Sequence, residues 1–451
     1  MNILSGRIVP ILGSVSLLAA ATATAQEYFR DFGSSRSSGG IGRLGPGSEV
    51  FLGNNPNGIE PLSDAGLAQD EKNYNIRIGA LDLSLAAGVG FEFNDNITLS
   101  EFDRHGDIIF RPEFDIEGAI RFSETNRLRI GMGLSYAKYF DHSQYDSKAL
   151  LVSPTSAITW TAEAGAFKFT IRERLAYQED PFDQPTLNVA NYRRWENQAG
   201  IQVDWDANQY TKISVGYDRY DLWTNDSTYA ALDHGINTVF VRPSYQINPS
   251  FTVGLNASLS MFEYKQSAHA DGHSLLVGPF VRWKVNDFTD VYAEVGVQQS
   301  NFDGGTVFSI VNNAGRVTGT GLDTQDASTW YAKLEIVNRP TEFLRQKLSF
   351  SKTAELGYQS NFYDLYHVEY SLEWAIQEKT TIRPIFFYEY YQTSGPISED
   401  AHRFGAALGI YHVLTDNFTV GLDYRYLVKD SNRNGADYYQ NLGMVSLFYK
   451  F

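Results

Sequence analysis

The chain ends in FTVGLDYRYLVKD (418–430), a polar run SNRNGAD (431–437), and YYQNLGMVSLFYKF (438–451). Phe418, Val420, Leu422, Tyr424 and Tyr426 alternate with Thr419, Gly421, Asp423 and Arg425. Side chains along a strand point to opposite faces in turn, so this period of two puts apolar groups on one side and charged ones on the other. A helix would scatter the same charges through its apolar stripe. Val445, Leu447, Tyr449 and Phe451 repeat the alternation up to a terminal phenylalanine. The reading is a hairpin of two strands, each wet on one face only.

The same pattern reaches back to about Ile76. Leu81, Leu83, Leu85, Ala87, Val89, Phe91 and Phe93 share one face; Phe167, Phe169, Ile171, Leu175 and Tyr177 oppose Lys168, Thr170, Arg172 and Arg174. Val368, Tyr370, Leu372, Trp374 and Ile376 oppose His367, Glu369, Ser371 and Glu373. Between such segments one class of connection is short, as at 123–126, 162–165, 206–208, 248–250, 286–290, 338–343, 377–380 and 415–417. The alternate class is mostly long, including the glycine-rich 300–327, with only 359–363 brief. Membrane barrels sort their turns this way, with tight turns on the periplasmic side and longer loops outside. The count predicts an all-β, transmembrane, antiparallel up-and-down barrel of about 18 strands, with 16 as the alternative, both termini on the short-turn side.

Composition agrees with a wall between lipid and water. The 451 residues hold 28 Tyr, 29 Phe and 7 Trp, and no cysteine, so no disulfide staples the fold. Mean hydropathy is −0.30, and aromatic rings gather at both interfaces of a membrane barrel. No stretch past the first residues is long and apolar enough for a transmembrane helix. Closure is then the remaining way to pair every backbone N–H and C=O inside hydrocarbon. The net charge of −16 excludes nucleic acid as a partner, since a phosphate binder needs a basic footprint. Outer-membrane lipid and lipopolysaccharide are the expected surroundings.

The first residues read as an export signal. Arg7 precedes an apolar run from Ile8 to Ala21, and Ala23-Thr24-Ala25 is a small-x-small cleavage site before Gln26. Residues 1–25 are therefore expected to be a signal peptide. Residues 26–74, with SSRSSGGIGRLGPG and NNPNG, show neither period and are expected to be a flexible periplasmic segment or a small plug. The barrel is assigned to 75–451, in the outer membrane of a Gram-negative cell.

Two resemblances add to this. The alternation Val445, Leu447, Tyr449, Phe451 resembles the C-terminal signal by which barrel-assembly machinery recognises outer-membrane barrels. RIGALDLSLAAGVGFEFNDNITLS (77–100) resembles the opening of the putative β-barrel porin-2 family, through Arg77, Gly79, Gly88, Gly90, Phe91, Asn94, Asp95 and Asn96. Beyond these residues the likeness extends by architecture alone. It implies an outer-membrane pore, associated in some relatives with export of surface polysaccharide and hence with periplasmic export proteins.

No motif points to catalysis, a cofactor or a metal. The eight histidines (105, 142, 234, 269, 273, 367, 402 and 412) fall mostly in or beside loops, none in a G-x-S-x-G context. Asp430-Ser431-Asn432-Arg433-Asn434-Gly435 matches half a calcium loop, but its twelfth position is Asn441, not a bidentate glutamate. The informative charges are those whose parity opposes the apolar row: Arg111, Glu113, Asp115, Glu117, Arg172, Arg174, Glu196, Asp204, Lys212, Asp218, Arg282, Glu294, Lys333, Glu335, Glu369, Glu373, Arg383, Glu389, Asp423 and Arg425. They are expected to line a lumen and set its field, or to pair across strands and stiffen the wall. Eighteen strands are enough for an aqueous channel. The expectation is diffusion of hydrophilic solutes through a lumen narrowed by the long loops, 300–327 above all. The alternatives are polysaccharide export, with Tyr292, Tyr331, Phe387 and Tyr391 offering sugar-stacking rings, and a structural or adhesive barrel.

Overall fold

A computed structural model describes residues 76–154, 156–179, 186, 192–311, 317–396 and 398–451. The expected signal peptide (1–25) and the whole of the expected segment 26–74 lie outside the described residues. The main sheet has 21 strands. Three of them (Ile76–Ile78, Lys138–Tyr139 and Leu151–Val152) are patches of two or three residues. The other eighteen form the wall: β1 Leu81–Asn94, β2 Asp107–Ser123, β3 Asn126–Ser135, β4 Ala157–Ala164, β5 Phe167–Gln178, β6 Arg194–Asp206, β7 Thr211–Thr224, β8 His234–Asn248, β9 Phe251–Tyr264, β10 Gly272–Asn286, β11 Thr289–Phe302, β12 Ala327–Thr341, β13 Leu344–Leu356, β14 Phe362–Gln377, β15 Thr380–Thr393, β16 Asp400–Val413, β17 Phe418–Ser431 and β18 Tyr438–Lys450.

Each wall strand pairs antiparallel with its neighbours in sequence, and β18 returns to β1 from Ala86↔Lys450 to Asn94↔Leu442. The result is a closed up-and-down barrel. Short turns follow β2, β4, β6, β8, β10, β12, β14 and β16, and the other connections join the opposite rim. The alternation of loop lengths read from the sequence is thus a division between the two ends of the ring.

The wall opens at Leu81 rather than at Ile76. Gly79 has φ +62°, a left-handed turn that glycine adopts without cost. It sends Ile76–Ile78 back along β1, pairing Ile76↔Leu83 and Ile78↔Leu81. Those first residues of β1 lie beyond the reach of β18, so the patch covers an edge that would otherwise face lipid. Arg77 Nε donates to Asp82 at 2.5 Å across it.

Among the described residues no second layer surrounds the ring, so only its concave side covers a side chain. The exposed row is apolar: Val89, Phe91 and Phe93 on β1, Ile171 and Leu175 on β5, Val368, Tyr370, Trp374 and Ile376 on β14, Leu422 on β17 and Val445 and Leu447 on β18. The covered row carries charge and inward rings. Three of those rings lie across a glycine directly opposite on the next strand: Phe240 over Gly216, Phe280 over Gly254 and Phe387 over Gly405. A Cβ at Gly405 would sit 1.9 Å from Phe387 Cε1, so these glycines let an aromatic lie flat on the wall and shield a bare stretch of backbone. An apolar exterior and a polar interior on a ring with no free edge make this a transmembrane barrel.

Candidate functional site: the lumen

The covered face gathers most of the residues singled out by parity. Arg111, Glu113, Arg172, Arg174, Glu196, Asp218, Glu294, Glu369, Glu389, Asp423 and Arg425 are buried. Asp115, Glu117, Asp204, Lys333, Glu335, Glu373 and Arg383 are partly buried, while Lys212 and Arg282 are exposed. The latter two share the inward parity but stand near the short-turn end of their strands. Val445, Leu447 and Phe451 are exposed on the outer face and Tyr449 partly so.

Burial at this level demands partners, because a carboxylate or guanidinium taken out of water costs several kcal/mol unless paired. Three clusters supply them. On β5 to β7, Arg172 meets Asp218 at 2.8 Å, and Arg174 and Arg194 hold Glu196 at 3.2 and 2.8 Å. Arg172 and Asp218 are two strands apart and pair over Gly200, where a Cβ would lie 1.9 Å from Asp218 Oδ1. On β1 and β2, Arg111 clasps Glu92 through Nε and Nη2, at 2.8 and 3.2 Å. Across β14 to β17 runs a row in register, His367↔Glu389↔Arg403↔Lys429. Glu389 accepts from Arg403 at 2.7 Å and lies 3.1 Å from His367 Nδ1, and Lys429 reaches Glu399 at 2.9 Å. Glu92, Arg194, Lys347, Arg403 and Lys429 are buried inward charges beyond the parity set. Parity alone could have found them, since each sits one or three residues from an outward apolar side chain.

One long loop enters the ring. Residues 95–106, between β1 and β2, carry three apolar side chains in an otherwise polar run, of which Phe102 is exposed and Ile97 and Leu99 are buried. Leu99 is 3% exposed and packs with Phe387, Leu427 and Tyr438, beside Ile385 and Ala407, all on the inward rows of β15 to β18. Ile97 packs with Ile109, Ala137, Tyr139 and Tyr145. Leu99 has φ +50°, a conformation that costs a branched side chain about 1–2 kcal/mol. The neighbours over-determine it. Asn96, fully buried, donates to Tyr439 O at 2.9 Å and Ser100 O at 3.0 Å, and Gln440 Nε2 donates to Asn96 O at 2.9 Å. Asp95 accepts from Asn441 N at 2.7 Å and pairs with Arg104 at 3.0 Å. The loop is therefore pinned to β18 and extends along the inside of the wall as far as β15.

The 300–327 connection is built differently. Its described part is a hairpin, Thr306–Val311 against Val317–Asp323, outside the wall sheet. Its base is tied to neighbouring loops. Buried Asp323 accepts from Asn361 N at 2.7 Å, Ser394 Oγ at 2.5 Å and Gln325 N at 3.0 Å. Thr306 N donates to Asn361 Oδ1 at 3.0 Å and Val307 N to Ala268 O at 2.8 Å. A second apolar cluster joins Tyr220, Leu222, Ile236 and Phe262 on β7 to β9 with Leu356 at the end of β13, so the loop-side end of the interior is also packed there.

The four rings considered for sugar stacking face inward but are engaged. Tyr331, Phe387 and Tyr391 are buried. Tyr331 donates to Glu294 at 2.7 Å and Tyr391 to Glu399 at 2.8 Å, and Tyr292 also donates to Glu294.

No family model and no curated protein matches the chain. Among solved structures it is similar to OccK2 (OpdF) of Pseudomonas aeruginosa, in a complex with glucuronate, at 12% identity and a TM-score of 0.45 over 82% of this chain and 98% of that one. OpdK of the same organism, with vanillate, gives 10% and 0.46 over 82% and 99%. OccAB3 of Acinetobacter baumannii gives 10% and 0.45 over 83% and 100%. In architecture the chain is a barrel of eighteen antiparallel strands closed on themselves around a charged interior.

Proposed function

We propose that the chain is an outer-membrane channel through which small hydrophilic solutes diffuse. The observation that carries this reading is the division of one closed wall into an apolar outer row and an ion-paired inner row. A barrel that served only as an anchor or an adhesive has no need of a dense set of buried charges, each of which costs desolvation energy. Paired charges hold fixed dipoles along a passage and bias which solutes cross. Loop 95–106 supplies the narrowing. Polysaccharide export is the weaker reading, because three of the four inward rings it needs are buried and the tyrosine hydroxyls already donate to Glu294 and Glu399.

The test is single-channel recording of the refolded mature chain in planar bilayers, with liposome swelling in small sugars alongside. Stepwise conductance and swelling are expected. A sealed barrel, with neither, would sink the proposal and leave the adhesive alternative standing.

A further inference from the structure

We infer that the inward wall of β8 to β11 carries an oxyanion-binding station, made by Arg242 and Arg282 on either side of Phe280. It receives the carboxylate or phosphate of a small solute in transit, and so rests on the channel reading above. Arg242 is 7% exposed, and its Nε is buried with no hydrogen-bond partner. Among the described residues no carboxylate lies within ion-pair reach of Arg242 or Arg282. That sets them apart from the buried arginines elsewhere in the lumen, since Arg111, Arg172, Arg194 and Arg403 each hold an acid.

What the two arginines touch instead is aromatic. Their guanidinium carbons lie 5.6 and 5.7 Å from the centre of the Phe280 ring, and that of Arg282 is also 5.9 Å from Tyr292. Phe280 lies flat because residue 254 opposite is glycine, where a Cβ would come within 2.3 Å of Cζ. A guanidinium resting on a ring is held by its face, leaving its N–H donors directed outward in its own plane. The register puts Arg282 and Arg242 to either side of Phe280 along the wall: Arg282 pairs with Tyr292, Phe280 with Glu294, and Arg242 with Ser214 on β7. The carboxylate of this wall, Glu294, is already taken. It accepts from Asn256 Nδ2 at 2.7 Å, from Tyr331 at 2.7 Å, and from Tyr292. Two cations without acids, one recessed and one open to the lumen, are donors waiting for an oxyanion, which a planar guanidinium fork fits well.

The test uses the refolded mature chain in planar bilayers, with sodium acetate and inorganic phosphate as separate probes added to potassium chloride. Saturable block of the chloride current is expected, and whichever probe blocks at lower concentration identifies the oxyanion. Arg242→Gln and Arg282→Gln should each raise the half-blocking concentration at least about fivefold, the loss of one charge-assisted contact. Lys379→Gln removes a charge of the same sign in the exposed turn between β14 and β15 and should leave it unchanged. Arg282 is exposed, so R282Q tests the station even if R242Q does not refold. Unaltered block in refolded R282Q, or an equal loss in K379Q, overturns the inference. If the wild-type chain refolds but conducts nothing, the channel reading fails. The station is then decided by calorimetry of acetate and phosphate binding in detergent, where no heat overturns it and heat lost in R282Q upholds it.

Discussion

Two loops on the same rim differ in a way their lengths do not foretell. The connection 303–326 is the longer and richer in glycine, yet its described hairpin is tied to the loops around it through Asp323, Thr306 and Val307. Residues 95–106 are about half as many, and they run down the inner wall. The difference lies in where the apolar side chains go. Ile97 and Leu99 are buried against the inward rows of the wall, whereas the hairpin lays its one buried ring, Phe308, over its own Gly321 and leaves Val307 and Leu322 exposed. An apolar anchor decides whether a loop enters a channel, because burying one aliphatic side chain is worth roughly 1.5–3 kcal/mol, and length supplies only the reach.

The strongest way to break this comparison is to remove the anchored loop. Replacing residues 97–104 by two glycines should raise single-channel conductance at least about twofold if that loop sets the narrowest section. The same shortening between residues 307 and 322 should change it much less. Equal effects would erase the distinction. A milder step is Leu99→Asp, which puts a charge among Phe387, Leu427 and Tyr438 at a cost of several kcal/mol. It should release the loop and give noisy, larger currents with new protease cleavage in 95–106. Leu99→Gly separates the two terms at that position. It regains the roughly 1–2 kcal/mol of a strained left-handed residue and loses the apolar contact, so it should loosen the loop less than the aspartate does.

For the hairpin the expected effect is on order rather than on conductance. Asp323→Ala leaves Asn361 N and Gln325 N without their acceptor and Ser394 Oγ with Phe362 O alone, about 1–3 kcal/mol for each donor that water fails to reach. Proteolysis between 303 and 326 should speed up while the mean conductance holds. The smallest effect is acid sensitivity next door. Burial, with the neighbouring His234 second, lowers the pKa of His269 to about 4, against about 6.5 when free. The folded loop therefore resists the proton that the released loop takes up. As pH falls from about 6.5 to about 4, loop 265–271 should lose on the order of 3 kcal/mol of local stability. Exchange of its backbone amides should speed up across that window in the wild type and stay flat in His269→Gln. The Val307 N–H bond to Ala268 O should pass the loosening on to the hairpin.

The wall was legible because its signal is repeated. A period of two over segments as long as Leu81–Asn94 and Phe418–Ser431 leaves one burial scheme for a closed ring, and sorted turn lengths reveal its two ends. What the sequence withheld is register, and register makes the interior. That Arg172 bridges to Asp218 over Gly200 depends on which residues of three strands share a level, and parity cannot say. The inward turn of 95–106 left a faint mark, Ile97 and Leu99 inside a polar loop, which is easily passed over beside the conspicuous glycines of 300–327. Arg242 shows the remaining gap. Its parity is that of the inward row, but that it lacks an acid can be known only once every neighbour is in place.

The seam between β1 and β18 has a consequence for how the molecule comes into being. Its hydrogen bonds join residues some 340 positions apart, such as Asn96 Nδ2 to Tyr439 O with a separation of 343. Until the thirteen residues of β18, Tyr438–Lys450, are in place, the sheet is an open ribbon with two bare margins, which hydrocarbon does not tolerate. Insertion and closure must therefore be nearly one event. A chain stopped at residue 437 should stick to its own kind through those margins rather than float as a slightly smaller ring.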